Sequence, residues 1–312
     1  MEETSTLKKI DVAIIGAGPA GIGISAMLLE LGIKSQVVLE RKKIGQSFDL
    51  WPKEMKLITP SFTTNFYGHL DLNSVISATS PAYTLRKEHP SGQEYAQYLR
   101  AVSDYYKLPI IEDANVDGIN YSNQSFKIKI NGTELVESKL LIWAAGEFQY
   151  PNLTNFKGAE LCLHNSQVRS WAELEGDEFY IIGGFESGMD AAVNLSKLGK
   201  KVNVLDRQAP WEEHTTDPSI SLSPFTSERL REQVNHGRIK LIDNSDIKNI
   251  TKKDNQYFIK IKGKSKPYVS ETKPILATGF KSSLTLVDNL FNWENEKSYA
   301  LLTEEDESTK TP

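Results

Sequence analysis

The hydrophobic pattern of the chain is clearest near its beginning. Residues 10–15 are nearly all apolar and rich in β-branched side chains, which is typical of a buried strand. A glycine-rich turn, GAGPAG, occupies residues 16–21, and an apolar run then continues to Leu31. A second short apolar segment, residues 36–39, ends in the acid Glu40. This order predicts a strand, a tight turn, a helix and a second strand, which together form a βαβ unit.

The spacing of this first turn predicts a dinucleotide site. Gly16 allows the tight turn, Gly18 allows the backbone to approach a pyrophosphate, and Gly21 allows the helix to lie close to the strand. The helix N-terminus offers free N–H groups to phosphates. Glu40 follows Gly21 by 19 positions, where an acid can bond a ribose hydroxyl. The residues assigned to this site are Gly16, Gly18, Pro19, Ala20, Gly21, Glu40 and Arg41.

Two other interpretations of the same stretch are a buried turn with no ligand and a membrane span. Residues 12–29 are apolar enough for the second, but they contain four glycines and a proline after a β-branched strand, which favours a soluble βαβ unit. A signal peptide would need a small-residue cleavage site, and Glu30 and a strand follow instead.

The next region, to about residue 90, is irregular and rich in aromatic and hydroxyl side chains. Loops of this length are usually functional or disordered, and we predict an ordered lining for a flat aromatic ligand, with a packed surface loop as the alternative. The residues assigned here to cofactor binding are Gln46, Ser47, Phe48 and Trp51. A capping box at residues 91–94 then predicts a helix to about Lys107. Alternating strands follow, hinged at residues 131–132, and residues 140–144 are predicted to be a buried strand that leads into the cofactor-binding residues Ala145 and Gly146.

The second half of the chain repeats the first. Residues 179–182 predict a strand, residues 183–188 (GGFESG) a turn, and residues 189–198 a helix that ends at Gly199. The strand at residues 201–205 ends in Asp206, 18 positions after Gly188. Two such units about 165 residues apart predict two nucleotide sites, one per domain. The residues assigned to the second site are Gly183, Glu186, Ser187, Gly188, Asp206 and Arg207.

The second turn departs from the first at Phe185, which occupies the position of the middle glycine. This change predicts a looser nucleotide that binds and leaves, such as a nicotinamide cofactor. Asp206 would favour NADH by repelling a 2′-phosphate, whereas Arg207 and Lys200 could pair with that phosphate and favour NADPH. The sequence does not decide between NADH and NADPH.

Beyond this unit, a loop at residues 210–221 precedes a helix from Ser223 to residue 236, with Gly237 as its C-cap. Strands are predicted at residues 239–242, 247–250 and 257–261. Residues 274–280 repeat the strand and small residues of 141–146, and we interpret them as the crossing back to the first domain, with Thr278 and Gly279 as cofactor-binding residues.

Composition narrows the class of protein. The 312 residues are 39% hydrophobic and 25% charged, which is ordinary for a globular chain of about two domains. The net charge of −5 favours neither nucleic acid nor anionic lipid, so no nucleic-acid partner and no membrane span are predicted. A single cysteine, Cys162, excludes an internal dithiol pair. No metal-ligand spacing is present, and we expect a cytoplasmic protein.

On these motifs the chain resembles the flavin-containing monooxygenases, and among them small bacterial members that include accessory oxidoreductases of cobalt–zinc–cadmium resistance. The matching stretches are residues 16–21, 51–65, 143–146, 164–166, 183–188, 217–229 and 277–279. The resemblance implies an α/β fold with two Rossmann-like dinucleotide-binding domains, arranged as in glutathione reductase, with the NAD(P) domain inserted into the FAD domain. The expected boundaries are 1–150 for the first part of the FAD domain, 151–274 for the NAD(P) domain and 275–312 for the return.

The resemblance also implies a chemistry. FAD would bind the first unit and NADPH or NADH the second, and a flavin hydroperoxide would oxygenate a small-molecule substrate with O₂. Asn65 is the catalytic candidate, because an amide can both donate and accept near the flavin or nicotinamide; a turn asparagine is the alternative. Asp217, Ser219 and Ser223 are weaker candidates. The other functions left open are an FAD-dependent reductase of a disulfide or quinone and a non-enzymatic accessory protein, and a homodimer is an open prediction.

The chain departs from this family in two further ways. Its FxGxxxHxxx(Y/W) signature is represented by Phe156, Gly158, His164 and Trp171, but with two extra residues before His164 and three before Trp171. His164 is therefore either a functional linker residue or a histidine bonded to backbone. Relatives continue after the equivalent of Pro312 with a strand, a glycine and a helix that close over the flavin. We therefore expect either weakened flavin binding or a longer gene product.

Overall fold

The computed structural model describes residues 8–63, 71–291, 293–294 and 299–300. Its contacts divide the chain into two compact units. Unit 1 comprises Met1–Gln46, Leu99–Tyr150 and Lys281–Pro312, and unit 2 comprises Ser47–Tyr98 and Pro151–Phe280. Residues 47–98 thus group with the second unit, whereas the sequence-based boundaries placed them in the first domain.

Unit 1 is built on a six-stranded sheet in the order β3-β2-β1-β6-β5-β4. β1 lies in its middle and pairs in parallel with β2 on one side and β6 on the other, with Ile14 opposite both Val38 and Ile142. β4, β5 and β6 form an antiparallel meander. The strands are β1 (Lys8–Ile15), β2 (Gln36–Leu39), β3 (Ile110–Ile111), β4 (Val116–Ser122), β5 (Ser125–Ile130) and β6 (Thr133–Trp143).

Unit 2 contains a five-stranded parallel sheet in the order β10-β9-β8-β14-β7 and a three-stranded antiparallel sheet, β11-β12-β13. The strands are β7 (Leu163–His164), β8 (Glu178–Ile182), β9 (Lys201–Leu205), β10 (Ile239–Ile242), β11 (Ile247–Lys253), β12 (Gln256–Ile261), β13 (Tyr268–Ser270) and β14 (Ile275–Leu276). Near the end of the described chain, β15 (Trp293–Glu294) pairs with β16 (Tyr299–Ala300).

The helices follow the predicted order. They are α1 (Pro19–Glu30), α2 (Gln46–Asp49), α3 (Pro81–Leu85), α4 (Gly92–Tyr106), α5 (Glu186–Lys197) and α6 (Pro224–Asn235), with 3-10 helices at Ala159–Leu161, Asn165–Gln167, Trp171–Glu173, Pro210–Glu212 and Ser283–Leu290. The predicted capping box starts α4, since the N–H of Ser91 donates to Glu94 Oε2 (2.9 Å) and the N–H of Glu94 to Ser91 Oγ (3.3 Å). No helix in the described part of the chain has both the length and the apolar character that crossing a bilayer requires.

One strand prediction was wrong in its burial. Residues 140–143 are in a strand as predicted, at the end of β6, but they are exposed or partly exposed rather than buried. Leu140 is 60% exposed. The apolar side chains at 141 and 143 pack on the core of unit 1, and since strand side chains alternate between faces, Leu140 lies on the other face.

Candidate dinucleotide-binding sites

The first glycine turn joins β1 to α1 and is closed by contacts within unit 1. Gly16 has a φ of +105°, and a methyl group there would overlap the carbonyl oxygen of Ala144, just after β6. A methyl group at Gly21 would overlap the carbonyl oxygen of Gly16. Gly18, in contrast, starts α1 with open space beside its Cα. The first N–H groups of α1 therefore remain accessible to a phosphate.

Glu40 is held beside this turn. The N–H of Ala17 donates to Glu40 Oε2 and the N–H of Lys42 to Oε1, both at 2.8 Å. The carboxylate is thereby fixed at the carboxyl edge of β2, where each oxygen keeps a second acceptor position. This is the arrangement that a ribose hydroxyl requires.

A cavity of about 330 Å³ opens next to Glu40. Four residues that the sequence assigned to cofactor binding line it: Gly16, Glu40, Arg41 and Ala145. This combination of open backbone at Gly18, a fixed acid and a cavity fits the adenosine diphosphate half of FAD. The other lining residues are Ile15, Leu39, Ala114, Asn115, Val116, Asp117, Trp143, Gln149, Tyr150 and Leu286.

The second turn repeats this geometry inside unit 2. Gly183 has a φ of +102°, and a methyl group there would overlap the carbonyl oxygen of Ala277, just after β14. A methyl group at Gly188 would overlap the carbonyl oxygen of Gly183. The N–H of Gly184 donates to Asp206 Oδ2 (2.8 Å), as Ala17 does to Glu40 in unit 1. The internal repeat thus extends from sequence to individual hydrogen bonds.

Phe185 adopts nearly the same backbone conformation as Gly18, with φ and ψ of −90° and −166° against −84° and −171°. Its half-buried ring packs against the hydrophobic cluster of unit 2 together with Trp211, whose indole covers Gly184. The turn can therefore hold a phenylalanine without changing its backbone.

A cavity of about 510 Å³ lies at the second turn. Arg207 is exposed and lines this cavity, and its role in nucleotide binding stays a prediction. Lys200 is not there: it precedes β9 whereas Asp206 follows that strand, and its Nζ donates to the carbonyl oxygen of Gly176. The hypothesis that Lys200 pairs with a 2′-phosphate is therefore wrong. The cavity is lined by Asn152, Asn155, Phe156, Ile182, Gly183, Gly184, Phe185, Leu205, Asp206, Arg207, Gln208, Ser245, Asp246, Ile247, Ala277 and Thr278.

Glu186 and Ser187 begin α5, but the Glu186 side chain is used elsewhere. Its carboxylate accepts the N–H and hydroxyl of Ser223 and the hydroxyl of Thr226 (2.6 Å), so it stabilises the start of α6. At the glycine turn, Glu186 can therefore offer a nucleotide only its backbone N–H.

One helical turn later, Asp190 Oδ1 pairs with Arg229 Nη1 (3.0 Å). Burial raises the pKa of Asp190 to about 6, against the lowering effect of the guanidinium.

His164 is completely buried and bonded to backbone. Its Nδ1 accepts from the N–H (3.3 Å) and hydroxyl (2.9 Å) of Ser166, so Nε2 carries the proton and donates to the carbonyl oxygen of Gly279 (3.0 Å). Burial lowers the pKa of His164, with the Gly279 bond acting in the opposite direction. The histidine is neutral and caps the 3-10 helix Asn165–Gln167, which favours the structural interpretation of the stretched linker.

The remaining predicted residues are spread over the chain. Phe48 and Trp51 pack on each other, and Phe48 also packs on Tyr95 of α4. In each pair the ring centroids are 4.9 Å apart.

The other predicted residues have local contacts. Asp217 Oδ1 accepts the N–H (2.9 Å) and the hydroxyl (2.7 Å) of Ser219, so these two residues form a local turn. Thr278 lines the second cavity, and Gly279 bonds to His164. Gln46 and Ser47 lie in α2, Gly146 has a φ of +63° after β6, and Asn65 lies outside the described residues.

Several residues that line the two cavities were not predicted from the sequence, although their position after neighbouring strands indicates them. Asn115 and Asp117 follow β3, and Ser245 and Asp246 follow β10. Each pair comes after the strand next to the one that ends in the fixed acid. Since the carboxyl ends of parallel strands meet at one edge, the polar residues after neighbouring strands are candidates for ligand contact.

Comparison with known proteins agrees with this geometry. The family model described as pyridine nucleotide-disulphide oxidoreductase matches residues 13–312. An uncharacterized oxidoreductase, CzcO of Bacillus velezensis, is 28% identical over 194 residues, which are 60% of this chain and 52% of that protein. The chain spans about half the length of the curated relatives it matches first.

Two solved structures share the fold. The bacillithiol disulfide reductase Bdr from Bacillus cereus matches with a TM-score of 0.74 and 21% identity, over 97% of this chain and 88% of that one. A flavin-containing monooxygenase from Stenotrophomonas maltophilia matches with a TM-score of 0.68 and 16% identity, over 95% and 86%. These likenesses confirm the predicted α/β fold. The family model and the match to CzcO confirm the predicted resemblance to an FAD/NAD(P)-binding oxidoreductase of this type. The chain belongs to the pyridine nucleotide-disulphide oxidoreductase family, which implies FAD and NAD(P)H as its cofactors.

Proposed function

We propose that the chain acts as an NAD(P)H-dependent flavin monooxygenase on a small nucleophilic or carbonyl compound. In the net reaction NAD(P)H supplies two electrons, a proton is taken up, one oxygen atom of O₂ enters the substrate and the other leaves as water. Bound FAD would supply the two-electron chemistry and the reaction with oxygen. The residues of the two turns would bind and orient the two dinucleotides.

The observation that carries the choice of oxygen over a disulfide is the state of Cys162, the sole cysteine in the sequence. Disulfide exchange requires a thiolate with access to its partner. Cys162 is buried in the cluster around β11 and β12, and burial raises the pKa of its thiol to about 12. At neutral pH the group is a buried thiol, so it is unsuited to a thiol relay.

Electron acceptors that need no protein thiol are O₂, a quinone and a small disulfide reduced directly by the flavin. The resemblance to flavin-containing monooxygenases favours the first, and the fold shared with Bdr of Bacillus cereus keeps direct reduction of a small disulfide as a competitor to be tested. Reduction of a quinone and reduction of a small disulfide both consume NAD(P)H without transferring oxygen to a product.

The test is oxygen uptake by the FAD-loaded protein with NADH or NADPH, ¹⁸O₂, and a panel of sulfides, amines and ketones. We expect one ¹⁸O atom in a product for each NAD(P)H oxidised, at the same rate in the Cys162→Ala variant. Faster turnover of a quinone or of bacillithiol disulfide than of O₂, without label in any product, would contradict the monooxygenase proposal. Loss of that turnover in Cys162→Ala would also contradict the argument from the buried thiol.

A further inference from the structure

We infer that the second turn selects NADH over NADPH, and that Asp206 is the residue that selects. This inference rests on the proposed binding of a nicotinamide dinucleotide by unit 2, but not on oxygen insertion. It concerns the adenosine ribose, whose 2′ position carries a hydroxyl in NADH and a phosphate in NADPH.

The Asp206 carboxylate is immobilised by backbone hydrogen bonds. Oδ2 accepts the N–H of Gly184 (2.8 Å), and Oδ1 accepts the N–H groups of Gln208 (2.7 Å) and Ala209 (3.1 Å). Three backbone donors on two sides prevent the side chain from turning away. A 2′-phosphate next to Asp206 would therefore meet a fixed negative charge, whereas a ribose hydroxyl would meet an acceptor.

The described surroundings of Asp206 supply little positive charge. The charged side chains lining the cavity are Asp206, Arg207 and Asp246, and Asp246 is paired with Lys262 (Nζ–Oδ2 2.7 Å). Lys200 lies at the other end of β9, about 20 Å away at about 3.3 Å per residue. Arg207 is exposed, and an exposed arginine interacts with a charge largely through water.

Unit 1 contains the same arrangement of an acid and a glycine turn. Glu40 accepts the N–H of Ala17 in the same way that Asp206 accepts the N–H of Gly184. The adenosine ribose of FAD has a free 2′-hydroxyl, so the Glu40 arrangement is that of a hydroxyl site. Because the second turn repeats it bond for bond, its geometry is also that of a hydroxyl site.

The experiment is calorimetric titration of the protein with NAD⁺ and with NADP⁺, which measures binding rather than turnover. We expect the dissociation constant of NAD⁺ to be about tenfold below that of NADP⁺ or lower still, because a hydrogen bond to a charged group is lost and a like charge is met. Tighter binding of NADP⁺ by the unaltered protein would overturn the inference without any variant. Binding of neither would overturn it together with the dinucleotide site.

Two variants separate Asp206 from its neighbour. In Asp206→Ser we expect weaker NAD⁺ binding and stronger NADP⁺ binding, which together shift the ratio of dissociation constants about tenfold or more. Arg207→Ala is the matched control one residue along, and we expect it to change the ratio less than about threefold. The reverse pattern would overturn the assignment. Because Asp206→Ser removes the carboxylate that accepts three backbone N–H groups, its melting temperature is measured alongside.

The result is independent of the oxygenation test. NADH preference in binding together with oxygen-free turnover of a quinone would support this inference and contradict the monooxygenase proposal. NADP⁺ preference with labelled product would do the opposite.

Discussion

The two glycine turns of this chain have nearly the same backbone at their middle position, which is Gly18 in the first turn and Phe185 in the second. Both turns keep their first glycine, Gly16 and Gly183, and their last glycine, Gly21 and Gly188, and at each of these an added methyl group would overlap a carbonyl oxygen. A methyl group added to Gly18 would meet no protein atom within 4 Å outside its chain neighbours. The fold therefore does not require glycine there, and the second unit can use a phenylalanine. On the proposed assignment of the first site, the middle glycine is needed for the ligand, whereas the outer two are needed for the fold.

The largest effect is expected for Gly18→Val. A β-branched residue is compatible with the φ of −84° and ψ of −171° at this position, so the variant folds with an unchanged melting temperature. Its side chain occupies the space that a pyrophosphate needs, and we expect loss of FAD retention, read from absorbance near 450 nm after loading. Gly18→Ala is the graded control. Flavin retained by the valine variant would refute the assignment of the first site.

Next in size is a matched pair of folding variants, Gly21→Ala and Gly188→Ala. Each added methyl group overlaps the carbonyl oxygen of the first glycine in its own turn, so each should lower the free energy of unfolding by about 1–3 kcal/mol. Urea titration of both proteins measures this. A clear loss in one and none in the other would break the equivalence of the two turns.

A smaller and two-sided effect is expected for Phe185→Gly. Removing the half-buried ring should lower the free energy of unfolding by about 1–3 kcal/mol, since apolar packing is lost. Closer approach of the backbone to phosphate should lower the dissociation constant of NAD⁺ several-fold. Calorimetry and urea titration give the two quantities, and weaker NAD⁺ binding would show that the ring itself contacts the nucleotide.

The smallest effect concerns pH. Burial lowers the pKa of His164 in the folded protein, so the unfolded state binds the proton more readily. Its contribution to stability is fully present above the unfolded pKa of about 6.5 and is lost as the pH falls through the folded pKa. His164→Gln removes that dependence along with some stability at neutral pH. We expect the difference in unfolding free energy between the two proteins to shrink from pH 7 to pH 5, and a constant difference would contradict the neutral assignment.

The sequence was sufficient for the features that depend on local pattern. Both βαβ units, their acids, the capping box at Ser91 and the helix after Ser223 are found where spacing predicts them. Each depends on residues close together in sequence, whose backbone preferences and periodicity are readable directly.

Features that depend on distant residues could not be read in this way. Lys200 is near Asp206 in sequence but at the other end of a strand, since an extended chain moves its residues apart quickly. The acid-to-turn hydrogen bonds and the contacts of Ala144 and Ala277 with the glycine turns join segments far apart in the chain. The Glu186 side chain likewise bonds to α6, about 40 residues on.

The two proposed dinucleotide sites and the transfer of electrons between their ligands can be tested together. We would record the visible spectrum of the protein after loading with FAD, under anaerobic conditions, before and after addition of NADH. We expect a bound-flavin spectrum that NADH bleaches. A protein that takes up no FAD, or a bound flavin that neither NADH nor NADPH reduces, would contradict these proposals.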